Sequence, residues 1–106
     1  MYIKMENRMV ENILQGLYQL VEDRRKNPVV ASYTNYLQDK GDDYIARKIG
    51  EETIELILAL KDKEKAAIIH ETADILYHLT VAIENVGITW DEIANELRSR
   101  RIVGFH

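Results

Sequence analysis

The sequence predicts an all-α fold: a bundle of about five helices built on a central antiparallel helix pair. It reads as one domain spanning residues 1–106, with a core at about 7–100. Three observations predict this class. Apolar residues recur every three or four positions through most of the chain, the spacing that gathers them on one face of a helix. Five glycines and one proline in 106 residues leave little room for the frequent turns of an all-β fold. Pro28, Gly41 and Gly87 stand at the ends of periodic runs, where helices stop.

The first helix is expected at about 7–26, from Val10, Ile13, Leu14, Leu17, Leu20 and Val21. The basic run Arg24-Arg25-Lys26 suits its C-terminus, and Asn27-Pro28 stops it. Residues 29–34 read as irregular or extended. Ser32 is expected to cap a short helix through Lys40, with Gly41 as the residue after its end. Asp42 or Asp43 is then expected to cap a helix at about 43–61, and Asp62 a long one at about 63–86 that Gly87 terminates. Thr89-Trp90-Asp91-Glu92 has the form of a capping box opening a last helix to about 100. Trp90 reads as its hydrophobic anchor, and Arg101 to His106 as a loose tail. The helix at 63–86 is apolar nearly all round, which predicts burial from both sides and hence a homodimer or higher homo-oligomer.

Composition narrows the function classes. A net charge of −4 argues against a general nucleic-acid binder, which needs a basic face. With no cysteine there is neither a disulfide framework nor a thiolate metal site or nucleophile. The N-terminus lacks the apolar stretch of a signal peptide and no run approaches transmembrane length, so no membrane association and a cytoplasmic location are expected.

The acidic residues carry the chemistry. Glu51-Glu52-Thr53-Ile54-Glu55 and Glu71-Thr72-Ala73-Asp74 each place carboxylates three or four apart inside an apolar run. Such pairs face the same way and repel, by roughly 0.2–0.5 kcal/mol even when exposed. Burial of unpaired charge costs several kcal/mol more. Counted from Asp62, Glu55 is seven residues back and Glu71 nine forward, while Glu52 is ten back and Asp74 twelve forward. In an antiparallel hairpin each offset difference is about 3 Å of rise, so all four carboxylates can converge. All-oxygen ligation favours a hard cation, Mg²⁺ first and Mn²⁺ second. A di-iron bundle would require Glu-x-x-His pairs, which neither motif contains. The plainer alternative is a pair of solvated acidic faces.

The acidic motifs resemble those of the all-α nucleoside triphosphate pyrophosphohydrolases of the MazG-like superfamily. With Glu22-Asp23-Arg24, Ser32-Tyr33-Thr34, Leu37 and Lys40-Gly41, Lys48-Ile49-Gly50-Glu51-Glu52, Ala73-Asp74-Ile75-Leu76-Tyr77-His78-Leu79 and Glu96 to Arg100, the chain more closely resembles the phosphoribosyl-ATP pyrophosphohydrolase family of histidine biosynthesis. It covers about residues 10–100. It implies hydrolysis of phosphoribosyl-ATP between its α- and β-phosphates, giving phosphoribosyl-AMP and pyrophosphate. Mg²⁺ on Glu52, Glu55, Glu71 and Asp74 would neutralise developing charge and acidify the attacking water. Glu51, turned about 100° from Glu52 on the helix, is the candidate catalytic base, with an outer-shell or second-metal role as the alternative.

The resemblance also implies substrate-binding roles for Arg24, Ser32, Tyr33, Thr34, Lys40, Lys48, Tyr77 and His78. Each has a plainer reading. Lys48 can form a salt bridge with Glu52, Arg24 is an ordinary helix C-terminal charge, and Ser32-Tyr33-Thr34 suits a helix cap. Lys40 can be a solvated helix-end charge, Tyr77 a core or interface residue, and His78 a hydrogen-bonded core histidine. His70 and His106 carry no signal. Two other functions compete: a housecleaning enzyme acting on dNTPs or non-standard NTPs, and a non-catalytic helical module whose acidic faces bind a basic partner.

Overall fold

The computed structural model describes residues 9–102. They form five helices in chain order: α1 (Met9–Lys26), α2 (Tyr33–Lys40), α3 (Asp42–Asp62), α4 (Lys65–Asn85) and α5 (Trp90–Ile102). No strand occurs among the described residues. The expected starts at 7 and 8 and the tail from 103 onward lie outside them. Arg101 and Ile102, expected in that tail, belong to α5.

The local signals at α2 and α5 act as expected. Ser32 Oγ accepts a hydrogen bond from Asn35 N at 3.2 Å, one of the donors a helix N-terminus leaves unpaired. Thr89 Oγ1 accepts from Glu92 N, and Glu92 Oε1 accepts from Thr89 N at 3.0 Å, closing the capping box. Two expected caps are corrected. Gly41, at φ 88°, both ends α2 and opens α3, so Asp42 and Asp43 lie in the first turn of α3, where their charge suits the helix dipole. Asp62 is the last residue of α3 and caps nothing. The reversal falls one residue later, where Lys63 adopts the left-handed conformation at φ 56° and Glu64 is extended.

That two-residue turn makes α3 and α4 an antiparallel hairpin, the most extensive helix contact in the fold. α1 packs on α4, and α2 lies across the ends of α1, α3 and α4. The core takes one fully buried residue from each of the first four helices: Val21, Leu37, Ile45 and Val81. Tyr44, Ile49, Tyr77 and Ala82 pack around them. At one end, Arg25 grips Glu84 with bonds of 2.6 and 3.0 Å and reaches Asn85 Oδ1 at 2.7 Å, tying the end of α1 to that of α4. Asn85 in turn bonds Asp42 on α3. Trp90 anchors α5, its indole N–H donating to the fully buried Thr80 at 3.0 Å.

Of the α1 residues expected to be apolar contacts, only Val21 is fully buried; Val10, Ile13 and Leu20 are exposed. Between α1 and α5 runs a groove of about 390 Å³ lined by Leu14, Tyr18, Trp90 and Leu97 among others. The α3–α4 hairpin also leaves an apolar surface bare: Ile54, Ile57, Leu58 and Ile69 are each half exposed or more. No described helix is long and apolar enough to cross a membrane.

Candidate metal and substrate site

With the reversal at Lys63-Glu64, Glu55 stands eight residues before Lys63 and Glu71 seven after Glu64, closer to equidistant than a turn centred on Asp62 would give. Glu55 faces Glu71 across the helix pair, and the approach of its carboxyl, then burial, then its charge and that of Asp74, hold the Glu71 carboxyl above its ordinary range. Asp74, one turn along, takes His70 Nε2 at 3.3 Å. Ligand atoms of His70, Glu71 and Asp74 all lie within 4.8 Å of one another. His70 is thus a site neighbour that sequence reasoning missed; its spacing four before Asp74 was the available signal.

Glu52 is arranged differently from its neighbours. It is 8% exposed, and its carboxylate meets His78, a residue 4% exposed. Glu52 Oε1 lies 2.6 Å from His78 Nδ1. The same nitrogen is 2.9 Å from the Asp74 backbone carbonyl, and it is to this carbonyl that its N–H is aligned. Both neighbours of Nδ1 are acceptors, so Nδ1 carries the proton and lies within reach of both. Glu52 Oε1 is left buried with no aligned donor. Burial raises the Glu52 pKa, His78 opposes the rise, and Asp74 adds to it. A buried carboxylate that shares its imidazole partner with a backbone carbonyl and feels the charge of Asp74 fits a nearby bound cation, since buried negative charge is costly.

The other expected site residues divide into two groups. Tyr33, Thr34, Tyr77 and His78 form one wall beside Glu52. Tyr33 Oη is 3.0 Å from His78 Nε2, and with the proton on Nδ1 of a neutral ring the phenol is the donor. Thr34, buried, pairs with Tyr77 Oη at 2.6 Å. The Tyr33 ring stacks on Tyr77 and meets His78 edge-on. Lys48 extends along α3 and pairs with Glu51 at 3.5 Å, not with Glu52 as the helical spacing also allows. Glu51 itself is exposed on the adjoining face.

Arg24, Ser32 and Lys40 make their contacts elsewhere. The Arg24 carbonyl accepts from Asn35 Nδ2, and its guanidinium lies 3.6 Å from Asp23. The Ser32 hydroxyl is engaged as the α2 cap. Lys40 Nζ sits over the rings of Tyr36 and Tyr44.

Comparison with known proteins places this geometry. The profile of the family described as phosphoribosyl-ATP pyrophosphohydrolase matches residues 14–101. The phosphoribosyl-ATP pyrophosphatase of Limosilactobacillus fermentum is 49% identical over 87 residues, covering 82% of this chain and 82% of that protein. That of Clostridium acetobutylicum is 47% identical over 88 residues, covering 83% and 80%. The histidine biosynthesis bifunctional protein HisIE of Prochlorococcus marinus is 47% identical over 90 residues, which are 85% of this chain but 41% of that longer protein. The chain belongs to the phosphoribosyl-ATP pyrophosphohydrolase family.

Proposed function

We propose that this protein is a Mg²⁺-dependent hydrolase that converts phosphoribosyl-ATP to phosphoribosyl-AMP and pyrophosphate, the second step of histidine biosynthesis, in the cytoplasm and as a homodimer. The substrate follows from family membership across residues 14–101. The observation that carries the chemistry is the buried Glu52 carboxylate, which feels the charge of Asp74, with Asp74 in turn grouped with Glu71 and His70 within 4.8 Å. Glu52, Glu55, Glu71 and Asp74 would hold Mg²⁺, with Mn²⁺ as a substitute, because all their donors are hard oxygens. When bound, the cation neutralises charge building on the phosphate oxygens and acidifies the attacking water.

The remaining work falls to the side chains. His78 fixes the Glu52 carboxylate and, through Nε2, the Tyr33 phenol, so it positions rather than touches substrate. Glu51, exposed and adjacent, accepts the proton of the attacking water. Lys48, 3.5 Å from Glu51, places a positive charge beside the transferred phosphates. Thr34 and Tyr77, bonded to each other, stiffen the wall that carries Tyr33. Arg24 and Ser32 act at the edge of the site, one through its guanidinium and the other by holding the start of α2.

The half-exposed Ile54, Ile57, Leu58 and Ile69 on the α3–α4 hairpin supply the dimer contact. Contiguous apolar surface of this kind marks an interaction face, and a hairpin closing on its own copy makes a four-helix core.

The test is pyrophosphate release by purified protein with Mg²⁺, offered phosphoribosyl-ATP beside a panel of dNTPs. Selective cleavage of phosphoribosyl-ATP is expected. Preference for a free dNTP would favour a housecleaning role, and silence on every substrate beside active controls would favour a non-catalytic module.

A further inference from the structure

Beyond the wall formed by Tyr33, an aromatic ladder continues onto a face that the proposed chemistry does not use. Tyr33 stacks on Tyr36 with centroids 6.0 Å apart, and Tyr36 meets Tyr44 edge-on at 5.8 Å. Two cations cover the far end. Lys40 Nζ is 5.6 Å from the Tyr36 ring and 5.7 Å from that of Tyr44, while the Arg47 guanidinium carbon is 5.2 Å from Tyr44. Neither Lys40 nor Arg47 has a carboxylate within salt-bridge distance among the described residues, although the chain is acidic overall. Both side chains are exposed.

Two cations held over ring faces, with two phenols between them, are arranged for an anion. Ring contacts restrict the cations without neutralising them, so each N–H remains free for a charge-assisted bond, and the Arg fork and Lys point charge both suit phosphate. Position supplies the second half of the argument. Tyr44 lies eight residues before Glu52 on α3, about 12 Å of helical rise. Phosphoribosyl-ATP is negative at both ends: a triphosphate at one and the phosphate monoester of its second ribose at the other, with the adenine between. The monoester cannot rest against the carboxylates. It needs cations a nucleotide's length away, and Lys40 and Arg47 stand there.

We propose that Lys40, Arg47, Tyr36 and Tyr44 form the subsite for the monoester phosphate of the substrate's second ribose, and so distinguish phosphoribosyl-ATP from ATP. This rests on the functional reading above. The monoester is unchanged by the reaction, so its contacts are equal in ground and transition states and act on KM, not on kcat.

The test compares wild-type protein with the Lys40→Ala/Arg47→Ala double variant at saturating Mg²⁺, using phosphoribosyl-ATP as substrate and ribose 5-phosphate as inhibitor. Ribose 5-phosphate should compete with substrate in the wild type. In the variant KM and the inhibition constant of ribose 5-phosphate should both rise about tenfold or more, with kcat within about twofold. Inhibition by pyrophosphate, which binds at the carboxylate end, should shift far less. Lys40→Arg should keep most of the affinity. An unchanged KM, or non-competitive binding of ribose 5-phosphate, would overturn the subsite. So would a fall in kcat with KM unmoved. Wild-type protein silent on phosphoribosyl-ATP would instead overturn the functional reading itself.

Discussion

Glu52 Oε1 lies 2.6 Å from His78 Nδ1 across the α3–α4 pair, yet the only proton on that nitrogen is aligned with the Asp74 carbonyl. The imidazole therefore holds the carboxylate in place while dividing its one N–H between that carboxylate and the carbonyl. A site with this property is braced by the protein and completed by something positive. The same ring orients Tyr33 through its other nitrogen, so one buried histidine links the acidic cluster to the aromatic wall.

Replacing His78 with alanine should expose that dependence. The Asp74 carbonyl loses its side-chain donor, Tyr33 its acceptor, and Glu52 its nearest positive edge. Leaving such buried groups unpaired costs about 1–3 kcal/mol, readable as a lower urea midpoint. Loss of a residue that orients a metal ligand should also weaken Mg²⁺ affinity about 10- to 100-fold, measured by titration calorimetry. Unchanged Mg²⁺ affinity would remove His78 from the site.

The carboxylates should make the metal-free protein respond to pH in an unusual direction. Glu71 is raised above 4.5 first by the Glu55 carboxyl facing it, and Glu52 first by burial. A folded-state pKa above the unfolded one means that protonation favours the folded chain. For these two groups stability is gained as pH falls from neutral through the raised values, and the gain is complete below the unfolded value of 4.5. The Tm in EDTA should therefore rise as pH is lowered from about 7.5 toward the unfolded value of 4.5. With saturating Mg²⁺ the trend should flatten or reverse, because protons and metal compete for the same oxygens. A steady fall in Tm with acid in EDTA would contradict this.

Glu55→Gln separates repulsion from metal binding in a single variant. The amide removes the charge facing Glu71 and can donate to its carboxylate. The metal-free Tm should rise, while the further rise on adding Mg²⁺ should shrink as affinity is lost. Activity at limiting Mg²⁺ should drop by about an order of magnitude or more. Full activity there would mean that Glu55 is not a ligand.

The bare apolar face of the hairpin predicts assembly. Ile54 is 61% and Leu58 56% exposed, one helical turn apart on α3. Sedimentation of the wild type should give a dimer or larger, and Ile54→Glu with Leu58→Glu should give monomer or unfolded chain. A wild type that stays monomeric at high concentration would show that this face serves something else.

Much of this architecture is legible in the sequence because it is local. Ser32 before α2 and Thr89 with Glu92 at α5 announce themselves by residue type and spacing. The Glu55–Glu71 meeting follows from counting residues outward from a turn. Asp62 misleads because the reversal is made by Lys63 in a left-handed conformation, which no propensity assigns to lysine. Glu52 is harder still: its position on the helix is readable, but its turn toward His78 is a rotamer chosen by burial. Tyr44 and Arg47 are neighbours three apart on α3, but Tyr36 on α2 reaches Tyr44 because Gly41, at φ 88°, lets α3 start where α2 ends, and spacing along the chain does not show that meeting.

The central claim is that Glu52 belongs to a cation site on which cleavage of phosphoribosyl-ATP depends. Its most direct test is the rate of pyrophosphate release from phosphoribosyl-ATP as Mg²⁺ is raised from zero, for wild-type protein and Glu52→Gln side by side. The wild type should be inactive in EDTA and saturate with Mg²⁺, while the variant should stay near the EDTA baseline or need far more metal. Equal Mg²⁺ dependence in the two proteins, or full wild-type turnover in EDTA, would contradict it.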